Sequence, residues 1–346
     1  MSRGGGFAFR LATPGGRGAI AVIDLHGDVE EALASLGVRD AAIGAVALRN
    51  LGGVDTGLVV RWSESFAQVT PHAGPFVVQS ILGRLAHGGG ETARDDDPRR
   101  WPEAADVVEA RTLWALSRAR SPRAVDLLLA QPRRWRTWDG RTPAVGEVES
   151  MSRMLDRLIE PPLVVALGAP NIGKSTLVNA LAGRDVALVA DEPGVTRDHV
   201  GVALTLDGLT VRWVDTPGLR TTGGEVEREA INVASIVASG ADLLALCADA
   251  GAPFPDDALL ASIGLSVGAP VVRVGLRADR GETPGADVLT AAGAERAGLA
   301  DLAQVVRRRL VTDAALTWQG PWAMGGASPD SLQGGGGSPT LACSDR

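Results

Sequence analysis

A glycine-rich segment near the middle of the sequence has the residue types and spacing that bind phosphate. It reads Gly168-Ala-Pro-Asn-Ile-Gly173-Lys174-Ser175, which matches GxxxxGK[ST], and it lies between an apolar run and a helical pattern. Such glycines let backbone N–H groups curve around phosphate oxygens, and the helix N-terminus adds favourable dipole charge. Lys174 would bridge the β- and γ-phosphates, and the Ser175 hydroxyl would bind Mg²⁺. The segment therefore predicts a nucleoside triphosphate site with a magnesium cofactor.

The composition singles out the same lysine. The chain has 34 Lys and Arg residues, and Lys174 is the only lysine among them. Lysine and arginine are not interchangeable where a compact ammonium must fit between phosphates. The preference for arginine everywhere else therefore supports a phosphate-binding role for Lys174.

Two later segments carry groups that such a site needs near the γ-phosphate. The segment Asp215-Thr-Pro-Gly218 follows an apolar strand pattern, so Asp215 can hold a magnesium-bound water and the Gly218 N–H can contact the γ-phosphate. Between the two motifs, Gly194-Val-Thr196-Arg-Asp198 places Thr196 in a loop of switch-like length, as a candidate second protein ligand of Mg²⁺. Alone, each segment would be an ordinary turn. Their order and spacing favour phosphate chemistry.

Base recognition is predicted after a later apolar strand, Val271–Leu276. The strand runs into Arg277-Ala-Asp279, where a GTPase has Asn-Lys-x-Asp. Asp279 would accept the guanine N1–H and N2–H, and Arg277 would stack on the base. Leu276 cannot make the hydrogen bonds of asparagine. We therefore expect guanine preference with weakened affinity, and the alternative is that Asp279 is a solvated loop residue.

The residues predicted to bind the nucleotide lie at strand ends, in the loops that follow them or at the start of the next helix. Thr290-Ala291-Ala292 is included because it resembles the small-residue loop that closes over the base. The full set is Gly168, Asn171, Ile172, Gly173, Lys174, Ser175, Thr176, Asp215, Gly218, Arg277, Asp279, Thr290, Ala291 and Ala292.

The elements that position these residues alternate between apolar strands and helices from Pro162 onward. That alternation predicts an α/β domain with a mostly parallel sheet and helices on both faces. Together with the phosphate-binding motifs it predicts a P-loop GTPase domain. We predict an α+β N-terminal domain at residues 1–90, a linker and helical segment at 91–160, the GTPase domain at 161–312 and a disordered tail at 313–346. The Trp- and Arg-rich segment 133–138 could contact RNA or pack on a neighbouring domain, and we favour packing.

Charge and cysteine content limit the class of protein. The formal net charge of −7 argues against nonspecific coating of nucleic acid. The two cysteines, Cys247 and Cys343, form no disulfide framework, which indicates a reducing compartment. No apolar run approaches the ~18 residues that span a bilayer, and the N-terminus has no signal-peptide pattern. We expect a cytoplasmic protein without membrane association.

The segments GAPNIGKSTLVNAL, DEPGVTRD and DTPGLR together resemble the TrmE–Era–EngA group of bacterial GTPases. Four others are similar to segments of the tRNA-modification GTPases (MnmE/TrmE): ATPGGRG at 12–18, HAGP at 72–75, PEAADVVEARTL at 102–113 and EVER at 225–228. The resemblance covers most of residues 10–312.

This resemblance implies a mechanism and partners. It implies hydrolysis of GTP to GDP with K⁺ held partly by Asn171, in the place of an arginine finger, and with Glu227 positioning the attacking water. Leu219 stands where Ras-type enzymes have the glutamine for that task. The catalytic set is then Lys174, Thr196, Gly218 and Glu227, with a solvated carboxylate as the alternative for Glu227. It also implies a homodimer through the N-terminal domain, transient pairing of GTPase domains, and tRNA or a tRNA-modification partner.

Three departures limit what the resemblance implies. Asp24 stands where the family has a folate-contacting arginine, so we expect no tight folate binding. Leu276 weakens base recognition. The family continues beyond residue ~310 with helices and a Cys-Ile-Gly-Lys end, whereas this chain has a Gly/Ser/Pro-rich segment ending Cys343-Ser-Asp-Arg346. GTP hydrolysis is thus better supported than tRNA modification, and the alternatives are a Der/Era-type ribosome-assembly GTPase or a nucleotide-binding regulatory or scaffolding protein.

Overall fold

The computed structural model describes residues 6–13, 18–93, 101, 104–183, 201–216, 234–262, 270–293 and 296–333. These residues divide into two compact units, one up to Trp114 and one from Ala115 onward. Within these ranges, no helix is both long and apolar enough to cross a membrane.

The first unit is an α+β unit built on a six-stranded sheet. Its strands are β1 (Phe7–Leu11), β2 (Ile23–Gly27), β3 (Val46–Leu51), β4 (Asp55–Arg61), β5 (Phe66–Thr70) and β6 (Glu91–Thr92), and its helices are α1 (Val29–Ser35) and α2 (Pro75–His87). The strand order is β3-β4-β5-β2-β1-β6, antiparallel except for the β1–β6 pair. Alternate residues such as Ile23 and Leu25 form the core together with Leu33, Ile81 and Leu85 from the helices.

Asp24 points away from that core and has its own partners within the sheet. Arg10 is its cross-strand neighbour, and Arg10 Nη2 lies 2.7 Å from Asp24 Oδ2. Gln68 Nε2 donates to Asp24 Oδ1 at 3.0 Å. Asp24 is buried, and a buried carboxylate persists only when it is paired and hydrogen-bonded. Position 24 is therefore an integral part of the sheet, and weak folate binding remains a prediction.

The division between the two units falls inside helix α3 (Val107–Arg118). The second unit begins with three short helices, α4 (Ala124–Leu129), α5 (Gln131–Thr137) and α6 (Val145–Leu155). Trp135 and Trp138 are buried, and their rings meet edge to face at 5.3 Å. The tryptophans of the Trp- and Arg-rich segment thus pack within the second unit itself, whereas the favoured interpretation predicted packing on a neighbouring domain.

The second unit continues with the predicted α/β sheet, which confirms the fold class. Its strands are β7 (Leu163–Gly168), β8 (Val202–Leu206), β9 (Leu209–Asp215), β10 (Leu243–Ala248), β11 (Val271–Gly275) and β12 (Val288–Leu289), and its helices are α7 (Lys174–Ala182), α8 (Asp257–Ser262) and α9 (Leu299–Leu310). The order is β12-β11-β10-β7-β9-β8, and every pair is parallel except the β8–β9 hairpin. Parallel strands end at one edge of a sheet, so β7, β9, β10 and β11 present their following loops together.

The prediction of a disordered tail from residue 313 is wrong for residues 313–333. Helices α10 (Asp313–Leu316) and α11 (Pro329–Gln333) lie in this region, and Trp322 between them is fully buried. The Trp322 backbone N–H donates to Gln131 Oε1 at 2.7 Å, and its indole N–H donates to Asp156 Oδ1 at 2.9 Å. The Trp135 indole donates to the Trp322 carbonyl at 3.1 Å. A large apolar ring with its polar groups satisfied anchors the segment. Residues 334–346, including Cys343, lie outside the described ranges.

Candidate nucleotide site

The loop between β7 and α7 has the backbone of a phosphate-binding loop. Gly173 adopts φ 107° immediately before the helix begins, and Asn171 adopts φ 61°. At Gly168 a Cβ would lie 2.4 Å from the carbonyl oxygen of Cys247 on β10. A side chain at 168 would therefore separate the two strands, and a side chain at 173 would strain the left-handed conformation. Both glycines are required for the loop to keep this shape.

The Lys174 ammonium is enclosed by its own loop. Only 6% of the residue is exposed, and Nζ donates to the carbonyls of Gly168 at 3.3 Å and Ala169 at 3.0 Å. Burial lowers the pKa of Lys174, and the nearby Asp215 carboxylate partly offsets this effect. When a buried ammonium is held mainly by carbonyl dipoles, a nearby anion strongly stabilises its charged form. The loop thus holds a positive charge where phosphate oxygens would bind.

Ser175 and Asp215 bring together the oxygens expected of a magnesium site. The Ser175 hydroxyl donates to Asp215 Oδ2 at 2.5 Å. The other carboxylate oxygen, Asp215 Oδ1, is buried and has no hydrogen-bond partner within the described ranges. Mg²⁺ binds oxygen ligands and uses few protein groups, since phosphates and waters complete its shell. A hydroxyl beside an orphaned carboxylate oxygen therefore fits Mg²⁺.

The loop after β11 reaches the phosphate loop through Arg277. Arg277 adopts φ 54°, its Nη2 donates to the Asn171 carbonyl, and its Nη1 lies 2.9 Å from Asp249 Oδ2. Leu276 is buried, with its N–H donated to the Ala248 carbonyl at 2.8 Å. Asp279 follows on an exposed single turn of helix, Ala278–Arg280. The arginine that we expected to stack on the base therefore also connects two loops.

Ten of the fourteen predicted binding residues line one cavity of about 460 Å³, a volume in the usual range for small-molecule sites, whereas Gly168, Asp215 and Ala291 do not line it. Its lining residues are Asn171, Ile172, Gly173, Lys174, Ser175, Thr176, Leu276, Arg277, Asp279, Arg280, Thr290, Ala292 and Gly293. Ala291 is buried, and Thr290 donates its N–H to the Gly275 carbonyl at 2.8 Å. Thr196, Gly218, Leu219 and Glu227 lie outside the described ranges, so their roles remain predictions.

Sequence reasoning missed Asp249, which follows the end of β10. The signal was available, because Asp249 follows the apolar run Leu243–Ala248 much as Asp215 ends its own strand. In a parallel sheet both carboxylates are carried to the same edge. No motif in the sequence marks Asp249, however, and its partner Arg277 is 28 residues away.

Cys247 lies on β10 behind the phosphate loop, and we expect it to be chemically inert in the folded protein. The thiol is buried, and that burial raises its pKa to about 12, against the opposing effect of Lys174. Since the thiolate is the reacting form, its population at pH 8 is lower than that of a free thiol by about 10³-fold. Mass spectrometry after maleimide treatment should find Cys247 modified only in denaturant. Rapid modification of the native protein would contradict this prediction.

Comparison with known proteins agrees with this geometry. Residues 163–274 match the family described as 50S ribosome-binding GTPase. The protein named tRNA modification GTPase MnmE from Acidiphilium cryptum is 45% identical over 155 residues, covering 45% of this chain and 34% of the relative. The protein of the same name from Maricaulis maris is 33% identical over 301 residues, covering 70% of this chain and 68% of the relative.

A solved structure of a single-substitution variant of Era from Aquifex aeolicus, bound to GDP and AlF4⁻, is 23% identical, with a TM-score of 0.35. It covers 43% of this chain, and the matched part is 56% of the Era chain. The chain therefore spans about a third to two thirds of the length of the relatives it matches.

Proposed function

The chain belongs to the tRNA modification GTPase (MnmE) family and is a GTP-binding hydrolase, and we propose that it uses Mg²⁺ at Ser175 and Asp215 and K⁺ at Asn171. The observation that carries this proposal is the 2.5 Å approach of the Ser175 hydroxyl to Asp215 beside the buried Lys174 ammonium. Three groups that respond to phosphate and metal charge thus meet at one end of the sheet. A turn with only a structural role does not require an ammonium, a hydroxyl and a carboxylate at the same place.

Each of the three residues has a defined task. Lys174 binds the β- and γ-phosphates and stabilises the negative charge that they carry as the terminal bond breaks. Ser175 would hold Mg²⁺ directly and Asp215 would hold it through a bound water, and the ion would neutralise charge on the phosphate oxygens. The N–H groups from Gly173 onward, at the N-terminus of α7, bind the remaining phosphate oxygens. Thr196 is the proposed second protein ligand of Mg²⁺.

Asn171 suits a potassium ion because its side chain is available. Within the described ranges, the Asn171 carboxamide makes no hydrogen bond, while the Asn171 backbone carbonyl is occupied by Arg277. An amide oxygen is an appropriate ligand for a hard monovalent cation. The choice of K⁺ rather than another cation comes from the resemblance to the family. In this mechanism Glu227 positions the attacking water, and the Gly218 N–H contacts the γ-phosphate.

We expect GTP turnover to be at least about tenfold faster in KCl than in NaCl at equal ionic strength, because a cation in the place of an arginine finger stabilises the transition state. Phosphate release at saturating GTP measures this, with Lys174→Ala as the blank. Asn171→Ala should abolish the difference between the salts. The matched control is Asn179→Ala on the exposed side of α7, and this variant should still turn over GTP faster in KCl than in NaCl.

Two results of this experiment would change the proposal. Equal rates of the wild-type protein in both salts would remove Asn171 and K⁺ from the mechanism. A rate no higher than that of Lys174→Ala in either salt would favour the regulatory or scaffolding alternative.

We propose that this GTP hydrolysis serves the modification of tRNA in the cytoplasm. The relatives from Acidiphilium cryptum and Maricaulis maris carry that activity in their names. The proposed partners are tRNA or a tRNA-modification protein, together with a second copy of the chain that pairs through the N-terminal unit. Transient pairing of the GTPase domains is part of the same proposal, and the residues given tasks in GTP hydrolysis lie within 168–227.

A further inference from the structure

We propose that the arginines of α5 and of the loop after it form a surface that binds the phosphate backbone of RNA. This surface, the α5 arginine patch, consists of Arg133, Arg134, Arg136 and Arg141. None of these residues lines the nucleotide cavity, so the inference goes beyond GTP binding and hydrolysis. It takes from the proposed function only the identity of the RNA, which is tRNA.

Helix α5 buries one face and exposes the other. Trp135 and Trp138 are buried, and the Trp135 indole donates to the Trp322 carbonyl at 3.1 Å. At 3.6 residues per turn, Arg133 and Arg136 fall on the opposite side of the helix from the two tryptophans, and both arginines are exposed. The packing of the tryptophans therefore fixes α5 in an orientation that presents these two arginines to solvent.

The loop after α5 is closed on itself by hydrogen bonds. The Trp138 indole donates to the Pro143 carbonyl at 2.9 Å. Asp139 Oδ1 accepts the backbone N–H of Arg141 at 2.8 Å and that of Thr142 at 2.9 Å. The exposed Arg141 is thus carried by a compact turn directly after the helix. The carboxylate of this loop binds backbone N–H groups rather than an arginine.

The positive charge of the patch is not neutralised within the described ranges. Residues 131–141 contain four arginines and one aspartate, in a chain whose net charge is −7. None of the four arginines forms an ion pair there, whereas Arg123, Arg157 and Arg307 of the same unit are paired with aspartates. Arg133 and Arg136 are three residues apart on a helix, so their side chains are neighbours and their charges repel each other. An anionic partner relieves this repulsion.

Arg134 adds a half-buried charge to the patch. Its Nη2 donates to the neutral Gln319 Oε1 at 3.4 Å, and its buried Nη1 has no hydrogen-bond partner within the described ranges. Burial lowers the pKa of Arg134, although a guanidinium stays charged in proteins. An opposite charge nearby stabilises the charged form of a buried group. Arg134 therefore also favours an anion at this surface.

The available groups select phosphates rather than bases as the contacts. Aromatic side chains bind single-stranded RNA by stacking on its bases, but Trp135 and Trp138 are buried and cannot do so. Guanidinium groups bind phosphate oxygens through two parallel N–H bonds. Contacts to phosphate carry no sequence information, and they weaken steeply as salt increases. We therefore expect RNA binding at the patch to depend on salt and not on sequence.

The test is the affinity of the full chain for fluorescently labelled tRNA, measured by anisotropy between about 50 and 200 mM KCl. We expect the triple variant Arg133→Gln/Arg136→Gln/Arg141→Gln to bind at least about tenfold more weakly at the lowest salt, because three phosphate contacts are lost. The slope of log K against log salt concentration should become less steep by about 2–3, since each arginine contributes close to one. An unrelated hairpin RNA should lose affinity by the same factor.

Two matched variants separate this role from a general effect of charge or fold. Exchange of the same three arginines for lysine keeps the charge, so tRNA affinity should stay within about threefold of wild type. Arg39→Gln/Arg212→Gln/Arg273→Gln makes the same change in net charge at three exposed arginines elsewhere, and it should lower the affinity by less than about twofold. Binding of fluorescent GDP should be unchanged in all three triple variants.

Three outcomes would overturn the inference. The first is a glutamine variant of the patch whose affinity and salt slope match wild type, which would leave an acidic protein surface as the partner of these arginines. The second is an equal loss of affinity in the control variant, which would attribute the binding to overall charge. The third is wild-type protein that binds GDP but no tRNA, a result that leaves the proposed GTP hydrolysis intact. Wild-type protein that binds tRNA through the patch but binds no GDP would support this inference and overturn the proposed function.

Discussion

Lys174→Ala should lower kcat/KM for GTP by at least about 10²–10³-fold, the usual cost of removing one preorganised charge from a developing anion. The effect is large because the ammonium is already buried against the carbonyls of Gly168 and Ala169 before phosphate arrives. Little of the ammonium is therefore left to be desolvated when GTP binds. Phosphate release under single-turnover conditions measures the loss, and GDP affinity measured in parallel separates binding from chemistry.

Lys174→Arg is the more discriminating variant in a chain that otherwise uses arginine. It keeps the charge but replaces a compact ammonium with a planar fork that does not fit between the Gly168 carbonyl and the phosphates. We expect it to retain less than about a tenth of the wild-type kcat/KM. Arg273→Lys, on an exposed part of β11, is the control for the reverse exchange. Near-normal activity of Lys174→Arg would mean that charge alone suffices, and the argument from lysine usage would fail.

The phosphate site was predictable because its determinants are local in sequence. Gly168, Gly173, Lys174 and Ser175 lie within one loop and the helix that follows, and the conformational needs of glycine appear directly in the motif. Asp215 was predictable for a related reason, since a strand pattern ahead of it fixes where the strand ends. A local pattern of this kind indicates the site when a strand precedes it and a helix follows it.

The contacts that support the site were not predictable, because they join residues far apart in the chain. Arg277 meets Asn171 across 106 residues, and no periodicity encodes that meeting. It depends on the strand order of the sheet, which brings β11 and β7 to either side of β10. The meeting of Asp249 with Arg277 follows from the same strand order, although the apolar run before Asp249 did mark it as a residue at a strand end.

Two other misses had signals in the sequence. Helix α1 was not predicted, although Asp28 followed by Glu31 is typical of a helix start, and Asp28 Oδ1 does accept the Glu31 N–H at 3.0 Å. The tail was predicted as disordered from its glycines, although disordered segments have few aromatic residues and this one contains Trp318 and Trp322. The average composition of the tail predicts disorder, whereas a single buried side chain, Trp322, fixes residues 313–333 in place.

Base selectivity is where the departures of this chain have the greatest consequence. Leu276 is buried and contributes no hydrogen bond to a purine, and Arg277 is committed to Asn171 and Asp249. On the proposed function, Asp279 is left with most of the discrimination between guanine and other bases. It lies on an exposed turn at the edge of the cavity, where its carboxylate can accept two N–H groups.

We therefore expect Asp279→Asn to weaken GTP binding by about 10²–10³-fold, because two hydrogen bonds to a charged acceptor are worth about 1.5–3 kcal/mol each. The same variant should bind xanthosine triphosphate better than GTP, since xanthine has an oxygen in place of the 2-amino group and the carboxamide can donate to it. Displacement of fluorescent GDP by GTP, XTP and ATP gives the three affinities, with Asp301→Asn as the matched control. A GTP-to-XTP ratio that stays within about threefold of wild type would make Asp279 a solvated loop residue, and base selectivity would then have to come from the Thr290-Ala291-Ala292 loop.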